Sequence, residues 1–166
     1  SQDWLRRGEV VAAITAHPGP LQGCDTIALG ALRYRATASP DFAARWFPQG
    51  PTTNALATAP GLTFSDKDQL QARWVAQRGL VRPVLPTHRM ASSQAFVDAC
   101  LAGLAWGMNP EPLIARHLAL GALCELAADT PLDVALYWQF TRLAAPALAP
   151  LTEAIRRAAR TVLVPA

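Results

Sequence analysis

The sequence predicts an α/β protein of two lobes, and three observations carry that prediction. Helical and strand-like patterns alternate along the chain in short units, which is how parallel strands joined by crossover helices read in sequence. Two long extended segments, Thr26 to Ala38 and Leu132 to Thr141, flank the central block of such units, as if one lobe were inserted into another through a pair of connecting strands. The run from Ser92 to Pro110 spells a capped helix, a glycine stop at Gly103 and an apolar strand, which is the unit from which ligand-binding α/β folds are built. The lobes are expected to comprise residues 1–28 with 138–166, and 29–137.

Gln2 to Gly8 reads as the tail of a helix with Gly8 as its stop, and Val10 to Ala16 as a near-continuous apolar strand of the buried parallel kind. Thr26 to Ala38 alternates apolar and polar residues. Asp41 to Phe47 and Thr53 to Thr58 are short helices, and Pro60-Gly61 turns the chain into the strand Leu62 to Phe64. Lys67 to Arg78 places Leu70, Trp74 and Val75 at helical spacing and ends at Gly79. After the proline-punctuated loop Val81 to Pro86, a strand from Thr87 to Ala91 delivers Ser92 to its helix. Leu104 to Met108 is the next strand, stopped by Asn109-Pro110. Pro112 to Leu120 is a helix ended by Gly121, Ala122 to Leu126 a strand, and Pro146 to Val164 a final helix with Leu148, Leu151, Ile155, Ala158, Ala159 and Val162 on one face.

Composition narrows the function classes. A chain of 166 residues buries roughly two-thirds of its unfolded surface, enough for a stable core. Fourteen arginines and a single lysine, Lys67, are dispersed, and a net charge of +3 is too small and too scattered for a nucleic-acid surface. Cys24, Cys100 and Cys124 are widely spaced within apolar stretches, which suggests neither a disulfide framework nor a metal site and fits a reducing, cytoplasmic setting. No signal peptide or membrane span is expected, because the start is charged and every apolar run is short. The sequence also lacks a Gly-x-Ser-x-Gly elbow, a glycine-rich phosphate loop, a Cys-x-x-Cys pair and a His-x-x-x-His spacing, and its three histidines are isolated. An enzyme is therefore not expected, nor any cofactor.

Open α/β sheets bind ligands at the carboxyl ends of their strands, so the loops after Ile14, Phe64 and Met90 are the candidates. The hydroxyls of Ser92 and Ser93 stand at a helix start beside unpaired backbone N–H groups, a place suited to a small carboxylate or phosphate, or simply to capping.

Several segments together carry a family resemblance. Leu5-Arg6-Arg7-Gly8-Glu9-Val10 enters Ala12-Ala13-Ile14-Thr15, and Gln22-Gly23-Cys24 precedes Gly30-Ala31-Leu32-Arg33-Tyr34. Phe64-Ser65-Asp66-Lys67-Asp68, Ser92-Ser93-Gln94-Ala95-Phe96 and Leu136-Tyr137-Trp138 follow in order. Over essentially its whole length the chain resembles the effector-binding domain of LysR-type transcriptional regulators, and among them the ArgP group, also called LysG or IciA, that controls export of basic amino acids. The resemblance implies a periplasmic-binding-protein-like fold with parallel or mixed sheets and two crossover strands. It also implies that the chain is N-terminally truncated, lacking a winged helix-turn-helix and the first strands of the first lobe, so that DNA is contacted only through the missing part. L-lysine or L-arginine is expected in the cleft between the lobes, shifting their angle within a homodimer or homotetramer. Ser92 and Ser93 would take the α-carboxylate, Thr15 and Ser65 add polar contacts, and Asp66 or Asp68 accept the side-chain cation. Trp138 would stack on the ligand or pack within the protein. Solute-binding proteins of transporters share the two-lobed fold and stay as the alternative; the Gly-Ala-Leu-Arg-Tyr and Leu-Tyr-Trp segments favour the regulator.

Overall fold

The structure is a computed structural model that describes residues 2–80 and 84–165. The loop expected from Val81 to Pro86 therefore lies partly outside the described residues. The chain forms two compact units, residues 1–33 with 133–166, and residues 34–132. Both boundaries fall inside the long strands.

Chain order is α1 (Gln2–Arg6), β1 (Ala12–Thr15), β2 (Cys24–Ala38), α2 (Pro40–Trp46), α3 (Thr53–Thr58), β3 (Gly61–Thr63) and α4 (Leu70–Gln77). There follow β4 (Thr87–Arg89), α5 (Ser93–Leu101), β5 (Gly107–Pro110), α6 (Glu111–Ala119), β6 (Cys124–Glu125), β7 (Leu132–Thr141), a short 3₁₀ turn and α7 (Ala145–Val162).

In the first unit β1 pairs antiparallel with β7, which in turn borders β2. The expectation of a buried parallel strand fails here. Val11 and Ile14 are about half exposed, and an unbroken apolar run cannot by itself reveal the direction of its neighbour. Arg33 on β2 meets Asp133 on β7 through two hydrogen bonds of 2.8 and 2.9 Å. Gln139, fully buried, donates from Nε2 to the carbonyls of His17 (3.0 Å) and Gly19 (2.9 Å), so one amide holds the whole loop after β1. Gly30 adopts φ +120°, and a Cβ there would lie 2.7 Å from the Val164 carbonyl oxygen, which is why the strand carries no side chain at its bridge to the C-terminal segment. Along α7 the predicted apolar face is present, but only Ala159 is buried; Leu151 and Val162 are about half exposed.

The second unit carries the larger core. Ser39 and Thr52 cap α2 and α3, their hydroxyls accepting from the N–H groups of Phe42 and Ala55. The two helices press Phe42, Phe47 and Leu56 onto Trp74 and Trp106, both fully buried, with indole centroids 5.8 Å apart. A second cluster joins Leu62, Phe96, Val97, Cys100 and Ile114. β3 and β4 are parallel, and Gly61 bridges in parallel to Trp106, as the alternating pattern predicted. β5 and β6, however, run antiparallel to β2, so the strand arrangement is mixed.

Two local expectations need correction. The strand expected from Leu104 to Met108 runs instead from Gly107 to Pro110 and takes in the two residues expected to stop it, because the buried Asn109 side chain donates to the Thr37 hydroxyl on β2 at 2.9 Å. Helix α4 begins at Leu70 instead of Lys67, because the Asp68 carboxylate accepts from the Leu70 N–H and holds the preceding residues in a loop. Arg35, at the same end of β2, reaches Glu111 (2.6 Å) and Glu125 (2.8 Å) and ties α6 and β6 to the strand.

Cys100 is fully buried, and burial pushes its thiol up to about 11, a hydrogen bond from Asn109 opposing this. A raised thiol value means that the folded state holds the proton longer than the unfolded chain. The resulting stability is complete below the ordinary value near 9 and is lost as pH rises toward about 11. Urea unfolding at about pH 8 and about pH 10.5 should show Cys100→Ala losing roughly 2 kcal/mol less than the parent over that interval. Equal losses in both proteins would refute the thiol's part in it.

Candidate functional site

The candidate site lies in the second unit, around the loop that leaves β3. That loop is built by its own side chains. The Thr63 hydroxyl donates to the Ser65 carbonyl (3.0 Å), and the Ser65 hydroxyl accepts from the Lys67 N–H (3.3 Å). Asp68 does most of the shaping: Oδ2 accepts from the Phe64 N–H at 2.9 Å and Oδ1 from the Leu70 N–H at 3.0 Å. A carboxylate held by two backbone donors has a fixed position, and its remaining lone pairs stay available to a ligand.

On one side of Asp68 is a cavity of about 240 Å³. Tyr34, Phe64, Leu70, Phe96, Met108 and Pro110 form its walls, and Asp68 and Ser93 are its polar members. Antiparallel pairing of Tyr34 with Pro110 brings β2 and β5 together at this wall. The Tyr34 phenol is pushed above its usual value of 10, first by burial and then by the negative charge of Asp68, so the carboxylate's field reaches the opposite wall. Ser92 caps α5, its hydroxyl accepting from the Ala95 N–H at 3.3 Å, which leaves Ser93 as the hydroxyl that faces the cavity at the helix start.

On the other side lies a larger, more polar cavity of about 410 Å³, lined among others by Ser65, Asp66, Asp68 and Gln71. Asp66 is well exposed and ion-paired with Arg89, so its charge is already answered by the protein.

The predicted residues thus fall into four groups. Ser65, Asp66 and Asp68 share one cavity, and Asp68 and Ser93 share another, whereas Ser92 is occupied in capping. Thr15 and Trp138 belong to the first unit. The Thr15 hydroxyl accepts from the His17 N–H at 3.1 Å, and Trp138, buried beside Phe140, donates from Nε1 to Thr152 on α7, which is the packing role. Tyr34, Leu70, Met108 and Pro110 were not anticipated as site residues. Among the described residues no group of three or more His, Cys, Asp or Glu side chains could hold a metal ion, and no helix is long and apolar enough to cross a membrane.

Comparison with known proteins decides the family. The profile of the LysR substrate binding domain matches residues 1–160. The chain belongs to that family. The HTH-type transcriptional regulator ArgP of Pseudomonas fluorescens Pf-5 is 42% identical over 161 residues, a match that takes in 97% of this chain and 54% of the relative. The chain therefore spans about half the length of this relative. Among solved structures, the C-terminal domains of a LysR family protein from Agrobacterium tumefaciens C58 superpose with a TM-score of 0.96 at 55% identity, covering 99% of this chain and 79% of that one. Full-length LysG from Corynebacterium glutamicum with bound effector Arg superposes with a TM-score of 0.85 at 34% identity, covering 99% of this chain and 56% of that one. The LysR substrate-binding fold accounts for the mixed α/β architecture, and the Pseudomonas relative is a transcriptional regulator.

Proposed function

We propose that this LysR substrate-binding domain is the effector-sensing part of a DNA-binding transcriptional regulator of the ArgP and LysG kind, and that its effector is L-arginine or L-lysine. The observation that carries the reading is the 240 Å³ cavity with a fixed carboxylate and a helix start set in apolar walls. The α-carboxylate would lie at Ser93 and the first N–H groups of α5, favoured by the helix dipole. The aliphatic stem would lie against Phe64, Leu70 and Met108, and the cation against Asp68, beneath the Tyr34 ring. Ser65 and Asp66 flank that carboxylate from the neighbouring cavity.

Sensing requires that the effector bind one arrangement of the protein better than another. On this reading the chain is not a catalyst. DNA would be held by a helix-turn-helix part of the kind named in the relatives, within a cytoplasmic homodimer or homotetramer. The transcriptional regulators among the relatives favour this over a solute-binding protein of the same fold.

Thermal unfolding with L-arginine, L-lysine, citrulline and norleucine tests the proposal. A basic amino acid at about a hundred times its Kd adds roughly 2.7 kcal/mol, or about 5–11 °C for a chain of this size. Shifts with arginine or lysine, and much smaller ones with the two neutral analogues, are the expected result. No shift with either basic amino acid would reject the assignment of the effector.

A further inference from the structure

Arginine and lysine carry the same charge, so a carboxylate alone does not tell them apart. Shape does. A guanidinium is planar, weakly hydrated and holds its donors in a fixed fork, whereas an ammonium is a compact, strongly hydrated point charge with three diverging donors. The 240 Å³ cavity is built unequally for the two. Both Asp68 oxygens already accept from backbone N–H groups of the loop, Phe64 and Leu70, so the carboxylate cannot turn toward a ligand and offers its remaining lone pairs in one fixed plane. A fixed plane suits a fork. Apart from Ser93 at the start of α5, the other polar side chain of the lining is Tyr34, and the remaining walls are apolar. Tyr34 is also held firmly: its side chain packs against the larger core and its residue pairs with Pro110 of β5. The next residue along, Arg35, is bonded to Glu111 (2.6 Å) and Glu125 (2.8 Å), which fixes this end of β2 against its neighbours. Burial first, and then the charge of Asp68, hold the Tyr34 phenol above 10, so the ring and the carboxylate feel one another across the cavity.

We propose that Tyr34 is the specificity-determining residue of this pocket, its ring selecting a planar guanidinium over an ammonium, so that the domain prefers arginine to lysine. This rests on the reading of the cavity as the effector site. A guanidinium whose edge meets Asp68 turns a flat face to the pocket wall, and an aromatic ring is the surface that a flat, weakly hydrated cation covers best. An ammonium in the same place finds Asp68 and at most the Tyr34 hydroxyl for its three donors; the third faces Phe64, Leu70 or Met108, and a buried donor left unpaired is costly. Asp68 therefore reads charge and Tyr34 reads shape. The two roles are separable, because loss of the carboxylate weakens both amino acids whereas loss of the ring weakens one.

The test is calorimetric titration of the parent chain, Tyr34→Phe and Tyr34→Leu with L-arginine and with L-lysine. In the parent, arginine should bind roughly tenfold more tightly than lysine. Tyr34→Phe keeps the ring and should hold or raise that ratio, since the hydroxyl it removes serves the ammonium more than the guanidinium. Tyr34→Leu keeps an apolar side chain against the core and removes the ring; the ratio should fall to within about threefold of one, chiefly through weaker binding of arginine. A second reading needs no leucine variant: the Nε–H proton of ¹⁵N-labelled L-arginine should move upfield on binding to the parent and to Tyr34→Phe, as a ring current requires. A parent ratio within about threefold of one would overturn the proposal, as would an unchanged ratio in a folded Tyr34→Leu or an unmoved Nε–H signal. A ratio lost equally in Tyr34→Phe would overturn the part given to the ring. If neither amino acid binds the parent, the effector reading fails and this one with it; if both bind with equal strength, the effector reading stands and only the selection by Tyr34 falls.

Discussion

Trp106→Ala is expected to cost residues 34–132 about 3–5 kcal/mol of stability. The side chain is fully buried, tilted against Trp74 with centroids 5.8 Å apart and met edge-on by Phe47 at 6.4 Å, so truncation removes the centre of the larger core. Such a deletion costs about 3–5 kcal/mol, against a total stability of roughly 5–15 kcal/mol for a domain. Its backbone adds a second reason. Trp106 N–H donates to the Pro60 carbonyl (3.0 Å) and its own carbonyl accepts from Leu62 (2.9 Å), so this residue aligns the segment entering β5 with β3. Collapse of the pocket left by the indole would pull on that register. Trp106→Phe should be far milder, within about 2 kcal/mol of the parent, because the indole Nε1 is buried without a partner among the described residues and phenylalanine removes that unpaired donor. Urea unfolding followed by far-ultraviolet circular dichroism checks both. An alanine variant within about 1 kcal/mol of the parent would show that the Trp74–Trp106 pair is not the centre of this core.

The elements that were legible in the sequence are those whose signals are local. Ser92 stands immediately before a helix and accepts the expected backbone N–H, and the long alternating segments became β2 and β7; Ser39 and Thr52 cap α2 and α3 in the same way, although only the helices were expected there. What failed was mostly decided by a distant partner, the start of α4 being the local exception, set by Asp68 two residues before Leu70. Asn109 reads as a turn former, yet a threonine 72 positions earlier accepts its amide and keeps it in a strand. Val10 to Ala16 reads as buried, yet exposure of Val11 and Ile14 depends on what faces them. The candidate site divides along the same line. Asp68 and Ser93 could be singled out because a carboxylate after a strand and a hydroxyl at a helix start are local chemistry. Tyr34, Met108 and Pro110 could not, since only the antiparallel register of β2 with β5 places residue 34 opposite residue 110. Apolar walls have no signature of their own; Phe96 and Met108 serve as core and as pocket lining at once.

Asp68→Asn should weaken binding of L-arginine and L-lysine by roughly tenfold to a hundredfold, a loss of about 1.4–2.8 kcal/mol, which suits a charge pair at a half-buried site. The substitution is not a clean removal of charge. Both carboxylate oxygens accept from backbone donors, Phe64 and Leu70, and an asparagine must turn its NH₂ toward one of them. Donor then faces donor, and the loop should lose about 1 kcal/mol of local stability whether or not a ligand is present. Citrulline separates the two effects, being close to arginine in shape and without its charge. If the cation rests on Asp68, the ratio of arginine to citrulline affinity, measured by calorimetry, falls about tenfold or more in the variant; if the loop alone has loosened, both affinities fall together and the ratio holds. The Tyr34 phenol supplies a reading that needs no ligand. Burial is the larger cause of its raised value and persists, whereas the contribution of Asp68 disappears, so its titration should move part of the way back toward 10 in Asp68→Asn. Asp66→Asn is the matched control: its carboxylate is exposed and already paired with Arg89, so arginine affinity should change by less than about threefold. A large loss there with none at Asp68 would transfer the cation to the other cavity and with it the assignment of the effector pocket.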